Sequence, residues 1–131
     1  MGRYQNHLFL IECTREKIYR RSYQFSKSSF CKVYKEGSKP VAFVRGFDFG
    51  RDEIIIEVCV ASYARGKGYA VRGVNECVAF TKMKKYDKAV YLVNKKNTAS
   101  IALAKKCGFE LEMARKDYFI YVIQTSKGID D

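Results

Sequence analysis

Residues 57–70, EVCVASYARGKGYA, decide the fold of this chain, because a strand pattern gives way to a helix pattern within them. The run EIIIEVCV over residues 53–60 is rich in β-branched side chains, which predicts a central, mostly buried strand. From Gly66 to Lys82 the apolar residues recur at intervals of three and four, which predicts an amphipathic helix. The segment RGKGYA, residues 65–70, therefore lies at a loop-to-helix junction.

This junction has the composition of a phosphate or pyrophosphate site. The start of a helix carries unsatisfied N–H groups and a partial positive charge. Gly66 and Gly68 let the backbone approach a ligand closely, and Arg65 and Lys67 add charge. A Walker A loop is absent, and Val71 stands where the dinucleotide fingerprint requires Gly or Ala. An ordinary strand-to-helix turn with solvated basic residues is the alternative.

Strand and helix patterns alternate on both sides of this junction. Apolar runs on either side of the turn at residues 35–40 predict an antiparallel hairpin. A second helix is predicted over 98–107, with Asn97 or Thr98 as its N-cap and Gly108 beyond its end. The remaining predictions are a strand at 8–11, a helix at 14–28, a buried strand at 89–93, and two final strands at 109–116 and 118–125.

Length and composition predict one folded domain. The chain has 131 residues, 47% of them hydrophobic, which excludes a disordered or fibrous protein. We expect a single domain over 1–131, with residues 126–131 as a frayed tail. No apolar run approaches the roughly 20 residues of a membrane span, and the first residues do not resemble a signal peptide, so a cytoplasmic location is expected. Five scattered cysteines and one histidine predict no metal site.

A second motif, NTASIALAKKCGF at residues 97–109, makes the first motif much more specific, because the two occur together. Together they resemble the GCN5-related N-acetyltransferase (GNAT) superfamily. That family carries Arg/Gln-x-x-Gly-x-Gly/Ala after its fourth strand, which Arg65, Gly68 and Ala70 match. It then has an Asn, a small residue three positions on, and a helix ending in Gly-Phe, matched here by Asn97, Ser100, Gly108 and Phe109.

The resemblance implies a fold and a cofactor. The fold is α/β, with a mixed, mostly antiparallel sheet flanked by helices and split between the family's fourth and fifth strands, here 53–60 and 89–93. Acetyl-CoA would lie in the split, with its pantetheine paired to the backbone of residues 58–60. Asn97 would contact the pantetheine or thioester. The full implied set is Val58, Cys59, Val60, Arg65, Gly66, Lys67, Gly68, Tyr69, Ala70, Asn97, Ser100 and Lys105, with Lys67 or Lys105 near the 3′-phosphate.

The implied reaction is acetyl transfer to a primary amine by direct attack within a ternary complex. The backbone N–H near Val60 is the candidate for polarising the thioester carbonyl. Glu57 is the candidate general base, with Glu53 as an alternative. Strand alternation puts both carboxylates on the face opposite Val58 and Val60. A structural ion pair is the competing interpretation of Glu57.

One position departs from the family pattern. The family often has a tyrosine seven residues after the helix-start Asn, where this chain has Ala104. The usual proton donor to the departing thiolate is therefore missing. Cys107 is a possible substitute, although a core cysteine is the simpler interpretation. The other candidates, which the sequence does not rank, are Tyr63, Tyr69, Tyr91 and Tyr118.

The positive charge leaves the partner open. The net charge is +11, and residues 81–106 contain eight lysines but one acid. Three explanations fit: steering of CoA, an anionic acceptor such as an aminoacyl-tRNA or acidic protein segment, or a solvated lysine face. The rival to the enzyme is a catalytically inactive basic module on the same fold that binds CoA or nucleic acid. A monomer and a homodimer are both compatible with the sequence.

Overall fold

The computed structural model describes residues 29–50 and 52–126. The strand and helix predicted before residue 29 lie outside these ranges, as does most of the predicted tail. Six strands and two helices follow the predicted order, with a short 3-10 turn at Ser62–Ala64. Their bounds are β1 Phe30–Glu36, β2 Lys39–Asp48, β3 Glu53–Val60, α1 Tyr69–Met83, β4 Lys88–Asn94, α2 Thr98–Lys106, β5 Glu110–Ala114 and β6 Tyr118–Gln124.

The strands form one mixed sheet in the order β1-β2-β3-β4-β6-β5. Every neighbouring pair is antiparallel except β3 and β4, which run parallel. A parallel pair needs a crossover connection, and α1 supplies it. The α/β architecture and the mostly antiparallel sheet are therefore as predicted.

Helix α1 begins three residues later than its apolar pattern suggests. Gly66 and Gly68 have φ angles of 79° and 88°, in the left-handed region that L side chains rarely adopt. The backbone is therefore not helical until Tyr69. The buried stripe of α1 then follows the predicted spacing, because Val74, Cys77 and Thr81 are fully buried.

Both helices cover the same face of the sheet. Side chains from α1, α2 and the facing strand positions form the main buried cluster, which includes Val44, Ile56, Val74 and Ala104. Helix α1 packs closely on the sheet, since a Cβ added to Gly46 would lie 2.8 Å from the Cys77 sulfur. Among the described residues, no helix is long and apolar enough to span a membrane.

The opposite face carries a smaller cluster and the two acidic residues of β3. Ile55, Val90 and Tyr118 belong to this cluster. Glu57 forms an ion pair with Arg45, its direct cross-strand neighbour on β2, and both side chains are largely buried. The predicted alternation is therefore present, with Glu57 on the face away from the helices.

Candidate active site

The sheet splits between β3 and β4 partway along their length. The two strands pair from Glu53↔Lys88 to Ile56↔Tyr91, and no later pair joins them among the described residues. Beyond that point β3 stays paired with β2 as far as Ala42↔Val60. Over the same length β4 stays paired with β6 as far as Asn94↔Tyr118. The gap lies between the two strands that the resemblance indicated.

Two residues of β3 direct backbone groups into this split. The amide of Ala61 bonds the carbonyl of Val41, and the amide of Phe49 bonds the carbonyl of Glu53, so odd-numbered residues of β3 face β2. Hydrogen-bonding direction alternates along a strand, so the even-numbered residues face the other way. Val58 and Val60 therefore present their N–H and C=O groups to the split. Cys59, predicted as a third backbone partner, faces β2 instead.

A cleft of about 670 Å³ occupies the split on the helix-bearing side of the sheet. This volume lies within the usual range of small-molecule sites. Its walls come from the end of β3, the loop and first turn of α1, Tyr91 of β4, and one face of α2. The lining residues are Val58, Cys59, Val60, Ala64, Arg65, Gly66, Gly68, Tyr69, Ala70, Val71, Tyr91, Asn97, Ala99, Ser100, Ala102, Leu103 and Lys106.

The first turn of α1 faces this cleft without a side-chain cap. Gly68 is the N-cap and makes no side-chain hydrogen bond, and the first turn contains no acidic residue. The first helical amide with a main-chain acceptor is that of Arg72, which bonds the carbonyl of Gly68. A Cβ at Gly66 or Gly68 would meet no atom within 4 Å, so the loop surface is open. This is the arrangement of an anion site.

A carboxylate from β1 holds two residues of this loop. Glu36 accepts a hydrogen bond from the Tyr69 hydroxyl at 2.7 Å and pairs with the Lys67 ammonium at 3.1 Å. The Tyr69 hydrogen bond, assisted by Lys67, lowers the pKa of Glu36, and the same bond raises the pKa of Tyr69. Lys67 is therefore turned toward Glu36 and is not among the residues that line the cleft, so its predicted place at the cofactor gains no support from this geometry.

The first turn of α2 is capped in the ordinary way. The Asn97 side-chain oxygen accepts a hydrogen bond from the Ser100 amide at 3.0 Å. Their contact with the cofactor stays a prediction, but both residues line the cleft. Lys105 does not, whereas Lys106 does, because the helical repeat that brings Ala99 and Leu103 to the cleft also brings Lys106. The resemblance implied Lys105, and the structure has its neighbour Lys106 at the cleft instead.

The acidic residues of β3 lie away from this cleft. Glu57 pairs with Arg45 on the opposite face, and Glu53, also buried, lies 3.5 Å from the Lys88 ammonium. Neither lines the cleft. The observed geometry therefore agrees with the ion-pair interpretation of Glu57. It gives no support to the assignment of Glu57 as a general base.

The four candidate tyrosines differ in exposure and in the partners of their hydroxyl groups. Tyr63 is exposed and stacks under the Lys39 ammonium. Tyr69 lines the cleft, but its hydroxyl is bound to Glu36. Tyr118 is buried on the other face, and its hydroxyl has no hydrogen-bond partner among the described residues. Tyr91 lines the cleft and donates a hydrogen bond to the Ser100 hydroxyl at 3.3 Å. Burial raises the pKa of Tyr91.

Comparisons with known proteins agree with this geometry. The model of the acetyltransferase (GNAT) family matches residues 4–109. Among curated proteins no sequence matches the chain significantly. The ribosomal-protein-S18-alanine N-acetyltransferase of Escherichia coli is 18% identical, with a TM-score of 0.71, 95% of this chain and 84% of that chain being covered.

Two further solved structures contain a bound cofactor. A phosphinothricin acetyltransferase from Sinorhizobium meliloti, in complex with AcCoA, is 16% identical with a TM-score of 0.71, covering 91% of this chain and 74% of that one. The spermidine N-acetyltransferase of Vibrio cholerae, in complex with CoA and spermine, is 18% identical with a TM-score of 0.65, covering 86% and 74%. At these identities the likeness establishes a common fold.

Proposed function

This chain belongs to the GNAT acetyltransferase family, and from that premise we propose that it transfers an acetyl group from acetyl-CoA to a primary amine. The observation that carries the proposal is the split between β3 and β4, with the open first turn of α1 at one end of it. A site of this kind suits a ligand with an anionic head and an extended amide-containing arm.

The residues present fit acetyl-CoA in two independent ways. The uncapped amides that follow Gly68, with Arg65 exposed beside them, suit a pyrophosphate. The inward-facing groups of Val58 and the Val60 amide suit the amides of pantetheine, which would add to this edge as a further strand and displace the long bond, 3.4 Å, that Arg65 donates to the Val60 carbonyl. Asn97, Ser100 and Lys106 line the wall opposite.

When bound, acetyl-CoA supplies an activated acyl group, and the chain supplies orientation and a polar environment. The Val60 amide, directed into the split, is suited to donate a hydrogen bond to the thioester oxygen, where negative charge develops. A tight cleft that aligns an amine with the acyl carbon removes much of the entropic barrier. In this account Glu57 stabilises the sheet through Arg45 and takes no proton from the amine.

The charge of the chain favours an anionic acceptor. The net charge is +11, and the basic residues at 95, 96, 105 and 106 lie close in sequence to the α2 residues of the cleft. Such a field attracts acidic peptides or aminoacyl-nucleic acids and repels polyamines. Acidic acceptors are therefore expected to react in preference to spermidine.

The experiment has two stages. Calorimetric titration of the full chain with acetyl-CoA is expected to give a dissociation constant of about 1 μM, near −8 kcal/mol. The protein is then incubated with acetyl-CoA and a panel of amines: an acidic peptide that begins with alanine, a basic peptide of equal length, and spermidine. Mass spectrometry reports the gain of one acetyl group.

The result separates the enzyme from its rival. Acetylation of the acidic peptide that disappears without the protein supports the proposal. Binding of CoA with no acetylated product across a broad acceptor screen would favour an inactive module. Failure to bind acetyl-CoA at low and at high salt would overturn the cofactor assignment, and RNA and DNA binding would then be measured.

A further inference from the structure

Tyr91 occupies the point at which the sheet splits. It forms the last β3–β4 pair, with Ile56, and its ring packs 6.1 Å from that of Phe109. Only 6% of the residue is exposed, yet it lines the cleft. Its hydroxyl donates to the Ser100 hydroxyl, which also lines the cleft. The phenol is therefore fixed at the innermost part of the split.

The other polar side chains of the described lining are committed elsewhere. The Tyr69 hydroxyl is bound to Glu36, and the Asn97 oxygen caps α2. The Arg65 side chain donates to the Val60 carbonyl at 3.4 Å, and Lys106 is a cation on an exposed part of the wall. Tyr91 is thus the buried O–H donor of the cleft with an uncharged partner. The polar or titratable groups that interact with it are Ser100, in α2, and Cys107, the residue that follows α2.

Resting on the acetyl transfer proposed above, we propose that the Tyr91 hydroxyl protonates the sulfur that leaves during the reaction. The carbon–sulfur bond breaks, its electron pair goes to sulfur, and the phenolic proton bonds to that sulfur to give the thiol of CoA. The phenolate takes a proton from Ser100, and Ser100 takes one from solvent. Solvent receives the proton that the attacking amine loses, so the net reaction consumes no acid.

Two properties of the site suit Tyr91 to this role. A free thiol has a pKa near 8.5, so a donor must remain protonated where the thiol has begun to ionise. Burial raises the pKa of Tyr91 above its ordinary value, so the phenol still carries its proton when the sulfur leaves. The raised pKa also makes the phenol a weak acid, and the proton that Ser100 returns to the phenolate draws the transfer forward. Ala104 stands where the GNAT family often carries a tyrosine, and it belongs to the same buried cluster as Tyr91. In this chain the phenol near the cleft is therefore carried by β4, and not by α2.

Binding measurements test this without an acceptor. CoA and desulfo-CoA, which lacks the sulfur atom, are titrated at about pH 7 and again at about pH 9, where the thiol has begun to ionise. The Tyr91→Phe variant is expected to bind CoA roughly tenfold more weakly than the unchanged protein, because a hydrogen bond to a charged group is lost. Its affinity for desulfo-CoA is expected to stay unchanged. Tyr86→Phe, which removes a hydroxyl bound to Asp48 outside the cleft, serves as the matched control and should alter neither affinity.

The outcomes separate this inference from the function on which it rests. If Tyr91→Phe leaves the preference for CoA over desulfo-CoA unchanged, the inference is overturned and the proposed function stands. If the unchanged protein binds neither ligand, the inference about Tyr91 and the proposed function are both overturned. Should Tyr91→Phe fail to fold by circular dichroism, Ser100→Ala replaces it. That variant loses the group that orients the phenol, and we expect a roughly threefold effect confined to CoA.

Discussion

The two helices begin at the same cleft, but their first turns differ. Helix α2 starts at Asn97, whose side chain accepts the hydrogen bond of the Ser100 amide. Helix α1 starts at Gly68, which has no side chain to offer, and no acidic residue follows in its first turn. A capped turn stabilises its own helix, whereas an uncapped turn leaves its amides for an anion. The contrast identifies which N-terminus holds structure and which is available for a ligand.

Converting the α1 turn into a capped one should have the largest effect. Gly68→Asp places a carboxylate at the N-cap, where it occupies the free amides and repels phosphate. Two like charges about 4 Å apart at an effective dielectric of 20 repel by about 4 kcal/mol, before screening by solvent. We expect acetyl-CoA affinity to fall roughly a hundredfold, measured by calorimetry.

Gly68→Asn is the matched control for that change. Asn also tolerates the left-handed backbone, and a Cβ at this position meets no neighbouring atom within 4 Å. It adds no charge, so the loss of affinity should stay below about tenfold. Equal losses in the Asp and Asn variants would mean that electrostatics at this turn does not govern binding.

Removing the cap of α2 should reduce stability. Asn97→Ala leaves the Ser100 amide without its acceptor, and the free energy of unfolding should fall by about 1 kcal/mol. Urea denaturation measures this, and Asn97→Asp, which keeps an acceptor, should remain close to the unchanged protein. If Asn97→Ala were as stable as Asn97→Asp, the Asn97 side chain would not stabilise α2, and the proposed structural role of this cap would be wrong.

The smallest expected effect concerns Glu36, which lies beside the open turn. Glu36→Gln releases Lys67 and removes a negative charge near the phosphate site, so acetyl-CoA should bind about two- to fivefold more tightly at low salt. Because its contacts lower the pKa of Glu36, the unchanged carboxylate stays charged at neutral pH. The difference between the two proteins should disappear only as the pH falls below the ordinary glutamate value of about 4.3.

A second charge-removing variant gives the control for Glu36. Glu112→Gln also removes an exposed acid paired with a lysine, Lys88, but outside the cleft lining. It should change affinity much less than Glu36→Gln. If the two variants behave alike, only net charge matters, and the position of Glu36 beside the loop has no specific effect.

Local patterns predicted the backbone of this site well. The helix cap at Asn97, one of its two predicted candidates, the Gly108 stop and the strand at 53–60 each depend on residues close in sequence, and the structure contains all three. The start of α1 was placed three residues early, because apolar spacing continues through the two glycines whose φ angles exclude a helix.

Contacts between distant residues could not be predicted in this way. Glu36 and Lys67 are 31 positions apart, and nothing near either residue indicates the other. Tyr91 joins Ser100 only because β4 and α2 fold back on each other. Lys105 was predicted at the cofactor, but Lys106 lines the cleft. Successive helical residues are rotated by about 100°, so this prediction requires the position of the cleft. Pairing of Arg45 with Glu57 likewise depends on the register of β2 and β3.

The contrast between the two first turns is tested most directly by the amide resonances of the chain. In a ¹⁵N-labelled sample titrated with CoA, the account predicts the largest shifts at Tyr69, Ala70 and Val71, with further shifts at Val58 and Val60. The amide of Ser100, already bonded to Asn97, should move less. Shifts concentrated instead at Lys82, Lys84 and Lys85, with the α1 turn unchanged, would contradict the account, because CoA would then be bound by surface charge and not by the split sheet.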